Sequence, residues 1–270
     1  MPNVILSLLA FSGYSVLAVY FWHAQMHGKG DVLSRGAFGH GVILPLLLHG
    51  YLLAQEIFAG GGFNLSMVNA LSLITWLTML VYWLARFFYP VGGLQALVLP
   101  LAAITVLLPE FFPSAHQLEN TGLFAFKAHI FAAMLAYSLF TIAMLHAVLI
   151  SQTEKYLHHP TLPRVLQNLP PLLTMETLLF RMIGTGFVLL TLTLASGVVF
   201  SEEIFGKAWQ FNHKVLFGFI SWVVFAVLLW GHHFHGWRGR TAVRWTVGGF
   251  ILLLLAYLGS KFVLEVLLHR

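Results

Sequence analysis

Apolar runs of membrane-crossing length dominate the chain. A membrane helix needs about 20 mostly apolar residues. Eight stretches approach that length, at roughly 3–22, 39–58, 66–88, 92–109, 122–150, 180–200, 214–231 and 243–265. The fourth is the shortest, and Pro90 and Pro100 weaken it. The fifth exceeds what a bilayer requires, so it should tilt or project into water. Met1-Pro2-Asn3 carries no basic residue and no small-residue cleavage site follows the first run, so that run reads as a retained span rather than a signal peptide. Between spans five and six, Pro160, Pro163, Pro170 and Pro171 predict an irregular stretch. Thr174 followed by Met175-Glu176-Thr177-Leu178-Leu179-Phe180 then predicts a short interfacial helix leading into span six. The pattern describes an all-α polytopic membrane protein with eight transmembrane helices. No linker, repeat or low-complexity tract divides it, so a single domain over 1–270 is expected.

Basic residues orient the spans, because cytoplasmic loops carry an excess of Lys and Arg. Lys29, Arg35, Arg86, Lys155, Arg164, Arg181, Arg238, Arg240 and Arg244 fall on one side, nine of the 14 basic residues. Lys127, Lys207, Lys214, Lys261 and Arg270 fall on the other. The first side is therefore expected to be cytoplasmic. Both termini and the loops near 59–65, 110–121 and 201–213 are expected on the outer, periplasmic side of a bacterial inner membrane.

Composition removes several classes of function. Residues are 59% hydrophobic and 9% charged, against about 45–50% and 25% in soluble domains, which excludes a soluble enzyme. Cysteine is absent, excluding disulfides, thiolate metal sites, Fe–S clusters and covalent c-type haem attachment to this chain. The net charge of +5 needs only membrane lipid as its partner and implies no nucleic acid. No span interior carries Asp or Glu, since Glu56 and Glu265 lie near span ends and Glu110 lies outside. Ion-coupled transport usually needs such a residue at midplane. Zinc-protease and phosphate-loop motifs are missing too.

Histidine is the exception, with 14 residues against nine acidic ones. Most sit at span ends, where an imidazole is ordinarily a polar group in the headgroup zone. Gly231-His232-His233-Phe234-His235 could bind a metal, yet it runs straight into the basic Gly236-Trp237-Arg238-Gly239-Arg240 and reads rather as a solvated basic turn, a positive-inside anchor. His49, His129 and His146 lie inside spans, where an ionisable group is costly and a functional reading gains weight. His49 is roughly 13 Å and His129 roughly 10 Å from the outer ends of their spans at 1.5 Å per residue. His146 belongs to the cytoplasmic half and reads as structural.

Ala125, Ala132, Ala133 and Ala136 fall within about 60° of His129 on a helical wheel. Small residues usually mark close helix packing, and the same surface could leave a slot for a flat ligand beside an imidazole. Two histidines at matched depth suit a bis-His haem held non-covalently between helices, a haem b with His49 and His129 on the iron. His213, His232 and His269 rank lower as ligands. Lys127, Lys207 and Lys214 oppose the orientation rule near the outer surface, where they could pair with haem propionates or simply snorkel. Trp209 and Phe211 could stack on the macrocycle.

Several ordered motifs then resemble a known family. They are Pro170-Pro171-Leu172-Leu173 through Gly186-Phe187-Val188-Leu189-Leu190-Thr191 to Gly197, and Ile220-Ser221-Trp222 through Gly236-Trp237-Arg238-Gly239-Arg240 to Tyr257-Leu258-Gly259. His49, Asn64-Leu65-Ser66 and Ala128-His129-Ile130 before Tyr137 support them. Over essentially its full length the chain resembles the cytochrome c assembly superfamily, in the branch of CcsA-, HemX- and YpjD-type proteins, and most of all the bacterial inner-membrane YpjD type. The resemblance implies haem handling in cytochrome c-type biogenesis. CcsA-type members present haem outside the membrane through a tryptophan-rich loop ending in Trp-Asp, flanked by outer histidines. His129 matches the first of these histidines, and His269 stands near the register of the second. The family's histidine in span seven falls closest to Trp230, two residues from His232. The loop here, Gly206-Lys207-Ala208-Trp209-Gln210-Phe211-Asn212-His213-Lys214, keeps one Trp and has Asn212 in place of the Asp. That departure argues against full haem-lyase activity. The competing expectation is a haem-free, HemX-like scaffold or regulator that docks a membrane or cytoplasmic protein partner through the basic loops 151–179 and 232–244.

Overall fold

A computed structural model of the chain describes residues 2–27, 40–58, 63–113, 117–118, 124–156, 163, 169–205 and 213–262. Eight main helices appear in it: α1 Pro2–Met26, α2 Ile43–Ile57, α3 Met67–Ala85, α4 Gln95–Phe111, α5 Phe124–Tyr156, α6 Leu172–Phe205, α7 His213–His235 and α8 Gly239–Leu254. One π turn, Leu255–Gly259, carries α8 into a last turn, Ser260–Phe262. Each helix corresponds to one of the eight apolar runs. Six are long and apolar enough to cross a membrane. The other two, α2 with 15 residues and α4 with 17, reach about 22 and 26 Å at 1.5 Å per residue, short of a hydrocarbon core of about 30 Å.

Two boundaries differ from expectation for identifiable reasons. The short interfacial helix before span six does not exist as a separate element. Pro171 starts α6, its carbonyl accepting from the amides of Thr174 and Met175. With no Pro in 172–205, one 34-residue helix runs on. Span seven likewise continues through His232, His233 and His235 before the turn.

The helices form two groups. In the first, Tyr14, Phe21, Leu46, Met79, Leu94 and Leu99 bring α1, α2, α3 and α4 together. In the second, Tyr137, Phe140, Leu179, Ile183, Phe225 and Phe250 join α5, α6, α7 and α8. Helix α3 contacts α2, α4 and α5, and so links the groups. Lipid offers no hydrophobic drive between helices, so close packing and interhelical hydrogen bonds hold them. Trp76 Nε1–H donates to the Leu46 carbonyl (2.8 Å), Tyr137 Oη–H to Leu253 (2.8 Å), Ser221 Oγ–H to Gly249 (2.8 Å) and Trp222 Nε1–H to Thr191 Oγ1 (2.8 Å). Thr75 and Thr105 bridge α3 to α4 at 2.6 Å.

A two-residue ladder ties two loops at one end. β1, Phe63–Asn64, pairs antiparallel with β2, Gln117–Leu118. The loops before α3 and after α4 therefore share a side, as the charge pattern requires. Ser66 caps α3 there, its side chain accepting from the Asn69 amide.

Candidate functional site

The predicted ligand histidines occupy different helix groups. His49, on α2, is 1% exposed. Its Nε2 shares a 2.9 Å hydrogen bond with Ser72 Oγ on α3, and the Tyr14 ring meets it edge-on at 5.9 Å. Its Nδ1 has no partner among the described residues. His129 lies on α5, half-buried, one turn into the helix. Its Nδ1 lies 2.7 Å from Ser196 Oγ on α6. Helix α2 packs on α1 and α3, while α5 packs on α6, α8 and α3. Both helices pack on α3, and the two imidazoles are held by serines of different helices, Ser72 on α3 and Ser196 on α6.

The Ser196 contact orients the His129 ring. A serine hydroxyl has a single proton to give. The Leu192 carbonyl at 2.7 Å and the Thr193 carbonyl at 3.1 Å both lie within reach of it. With the proton on a carbonyl, the hydroxyl accepts from His129 Nδ1–H at 2.7 Å. A polar group that orients the ring from behind is the arrangement ligand histidines ordinarily have. Gly197 keeps the neighbouring helix close, since a Cβ there would sit 3.4 Å from His129 Cε1. Ala132 and Ala133 are half-buried along the same helix.

Other predicted residues cluster at the same end. Lys127, two residues before His129 in the first turn of α5, is exposed, as are His213 and Lys214 at the start of α7. Helix α7 runs beside α6, with Gly218 facing Leu194, a Cβ on the glycine being 3.5 Å from the leucine. His213 therefore lies at the same end of the bundle as Ser196 and Gly197, a few residues further out. Trp209 and His269 lie outside the described residues, as do Lys207, Phe211 and Asn212.

At the opposite end two histidines tie helices together. His146, 0% exposed, donates Nε2–H to the Met175 carbonyl at 3.0 Å, linking α5 to α6. His232 donates Nδ1–H to the Trp237 carbonyl at 2.9 Å and stacks on Phe180 with ring centroids 3.4 Å apart. No group of three or more His, Asp or Glu suited to a metal occurs among the described residues.

Sequence reasoning missed how strictly this turn is built. Gly231 leaves room for the Trp237 ring, and Gly236 and Gly239 have φ of +64° and +54°, where side chains are strained. Glu176, 8% exposed, anchors the turn by accepting the Gly239 amide at 2.7 Å. The glycine spacing 231, 236 and 239 was the available signal.

Comparison with known proteins adds the family. The model of the Cytochrome C assembly protein family matches residues 39–268. The chain is 29% identical to the inner membrane protein YpjD of Escherichia coli K12, over 97% of this chain and 99% of that protein. It is 39% identical to the cytochrome c biogenesis protein CcsA of Prochlorococcus marinus MIT 9515, over 33% of this chain and 28% of that one. No solved structure matches it.

Proposed function

The chain belongs to the cytochrome c assembly protein family, and from that premise we propose that it holds or relays haem within the bacterial inner membrane. The observation that carries this reading is the half-buried imidazole of His129, oriented by Ser196 on the facing helix. Haem, when bound, would supply an iron for an imidazole nitrogen of His129 to hold; with no cysteine in the chain, that attachment would be non-covalent.

The residues differ in how well they fit that group. His129 fits: it is half-buried at a helix interface lined by Ser196, Gly197 and alanines. His49 does not fit in this arrangement, because Tyr14, Ser72 and the surrounding helices leave it 1% exposed. Of the lower-ranked histidines, His213 opens at the same end as His129 and is the better supported second ligand. Lys127 and Lys214 border that end and would pair with the propionates.

The proposed topology has eight crossings with both termini periplasmic. Arg86, Lys155, Arg181, Arg238, Arg240 and Arg244 mark the cytoplasmic end, and the β1–β2 pair marks the other. The two short helices, α2 and α4, cross within the first group, packed on α1 and α3.

The test is purification from cells supplied with haem, followed by an absorption spectrum and a pyridine haemochrome assay. Haem b is expected in the wild type, lost in His129→Ala and weakened in His213→Ala. A haem-free wild type would instead favour the scaffold reading. Haem retained unchanged in His129→Ala would refute the site.

A further inference from the structure

Two cavities meet at one arginine at the basic end of the bundle. The first, of about 390 Å³, lies between the start of α6, the end of α7 and the turn that follows, with Arg181, His232, His233 and Arg238 in its lining. The second, of about 160 Å³, lies on the other flank of α6 and is lined almost wholly by apolar groups, including Leu94, Leu139, Ile142 and Leu178. Arg181 lines both, and Thr185 stands beside it in the second.

The charges of the first cavity are unevenly committed. Its one carboxylate, Glu176, is buried and bonded to the Gly239 amide. Arg181, Arg238 and His233 are exposed. Arg181 leans over the Tyr89 ring at 5.6 Å, and neither arginine has a carboxylate partner among the described residues. Behind them, His232 is held by Trp237 and Phe180, so the floor is rigid and flat.

Such a mouth matches a phosphate ester, because guanidinium forks bind its oxygens in pairs. The apolar cavity on the far side of Arg181 selects a phosphate that carries a hydrocarbon chain. Two arginines and a histidine also disfavour a headgroup with its own cation. We propose that this end of the bundle binds one anionic phospholipid, with its phosphate on Arg181 and Arg238 and an acyl chain along the crevice past Thr185. The site is separate from the His129 end and is independent of haem.

The experiment is native mass spectrometry of the delipidated full-length protein with added dioleoyl phosphatidylglycerol, dioleoyl phosphatidylcholine or inorganic phosphate. One phosphatidylglycerol is expected to bind, at least about tenfold more tightly than phosphatidylcholine, with R181Q/R238Q losing about tenfold or more in affinity. The control pair K155Q/R244Q removes two exposed charges at the same end that line neither cavity, and should leave binding unchanged. T185W, at an exposed position, blocks the crevice without removing a charge and should also weaken binding. Equal losses in the control pair would reduce the effect to diffuse surface charge and overturn the proposal. Equal binding of phosphatidylcholine would overturn it as well. Displacement of the lipid by millimolar inorganic phosphate would show a site for free phosphate instead.

Discussion

Replacing Gly249 by alanine should cost stability, whereas the same change at its neighbour Gly248 should add some. A Cβ on Gly248 meets nothing within 4 Å, but one on Gly249 would sit 2.8 Å from Phe225 Cζ and 3.0 Å from its Cε2. Phe225 cannot retreat easily. It is fully buried and stacked on Phe140 with ring centroids 4.0 Å apart. Phe140 in turn lies 3.2 Å from where a Cβ on Gly186 would stand. Four helices are thus packed through two rings with a glycine at each end. Alanine gains about 0.8–1 kcal/mol over glycine inside a helix, while overpacking a filled core costs about 1–3 kcal/mol. G248A should therefore stabilise by somewhat under 1 kcal/mol, and G249A should be neutral to about 2 kcal/mol destabilising. At about 2–4 °C per kcal/mol for a chain approaching this size, the two melting temperatures should separate by several degrees. Tryptophan fluorescence of the detergent-solubilised protein during heating measures this. G184A and G186A form a second matched pair on α6, open and blocked respectively. Equal stabilisation by G248A and G249A would refute the ring sandwich as the contact that holds α5 through α8.

Three other outcomes are expected. Ser196→Ala removes the hydroxyl that orients His129 and should weaken haem binding about 10–100-fold in a haem titration, as loss of a ligand-orienting group does, with Ser196→Thr close to wild type. His49→Ala should cost about 2–3 kcal/mol of stability, because it empties a buried site and strands Ser72, yet leave haem content of the folded fraction unchanged. Glu176→Leu leaves the Gly239 amide without its acceptor and should lower the melting temperature, whereas Glu176→Gln keeps an oxygen in place and should lower it less.

Helix identity is the most legible feature of the chain, because a membrane span is specified by length and apolarity alone. The end of α6 nearest Pro171 is less so: propensity marks Thr174 as a cap, but nothing between it and Phe205 breaks the helix. The depth of His146 points to a structural role, and its Nε2–H meets the Met175 carbonyl. Rise per residue gives an expected depth for His49 and His129 but no partners. That His49 meets Ser72 on α3 and His129 meets Ser196 on α6 is not legible, because which helices neighbour one another depends on interhelical packing that no single span encodes. Ser196 is invisible for the same reason. It lies 67 residues from His129 in the chain, and a serine near the end of an apolar run has no signature until the facing helix is known.

The central claim, that His129 holds haem, is tested most directly by the reduced-minus-oxidised absorption spectrum of the purified full-length protein beside its His129→Ala variant. The account predicts a low-spin haem b spectrum in the wild type and its loss in a variant that melts like the wild type. A wild type without haem after growth with ample haem, or the same spectrum in both proteins, would contradict it.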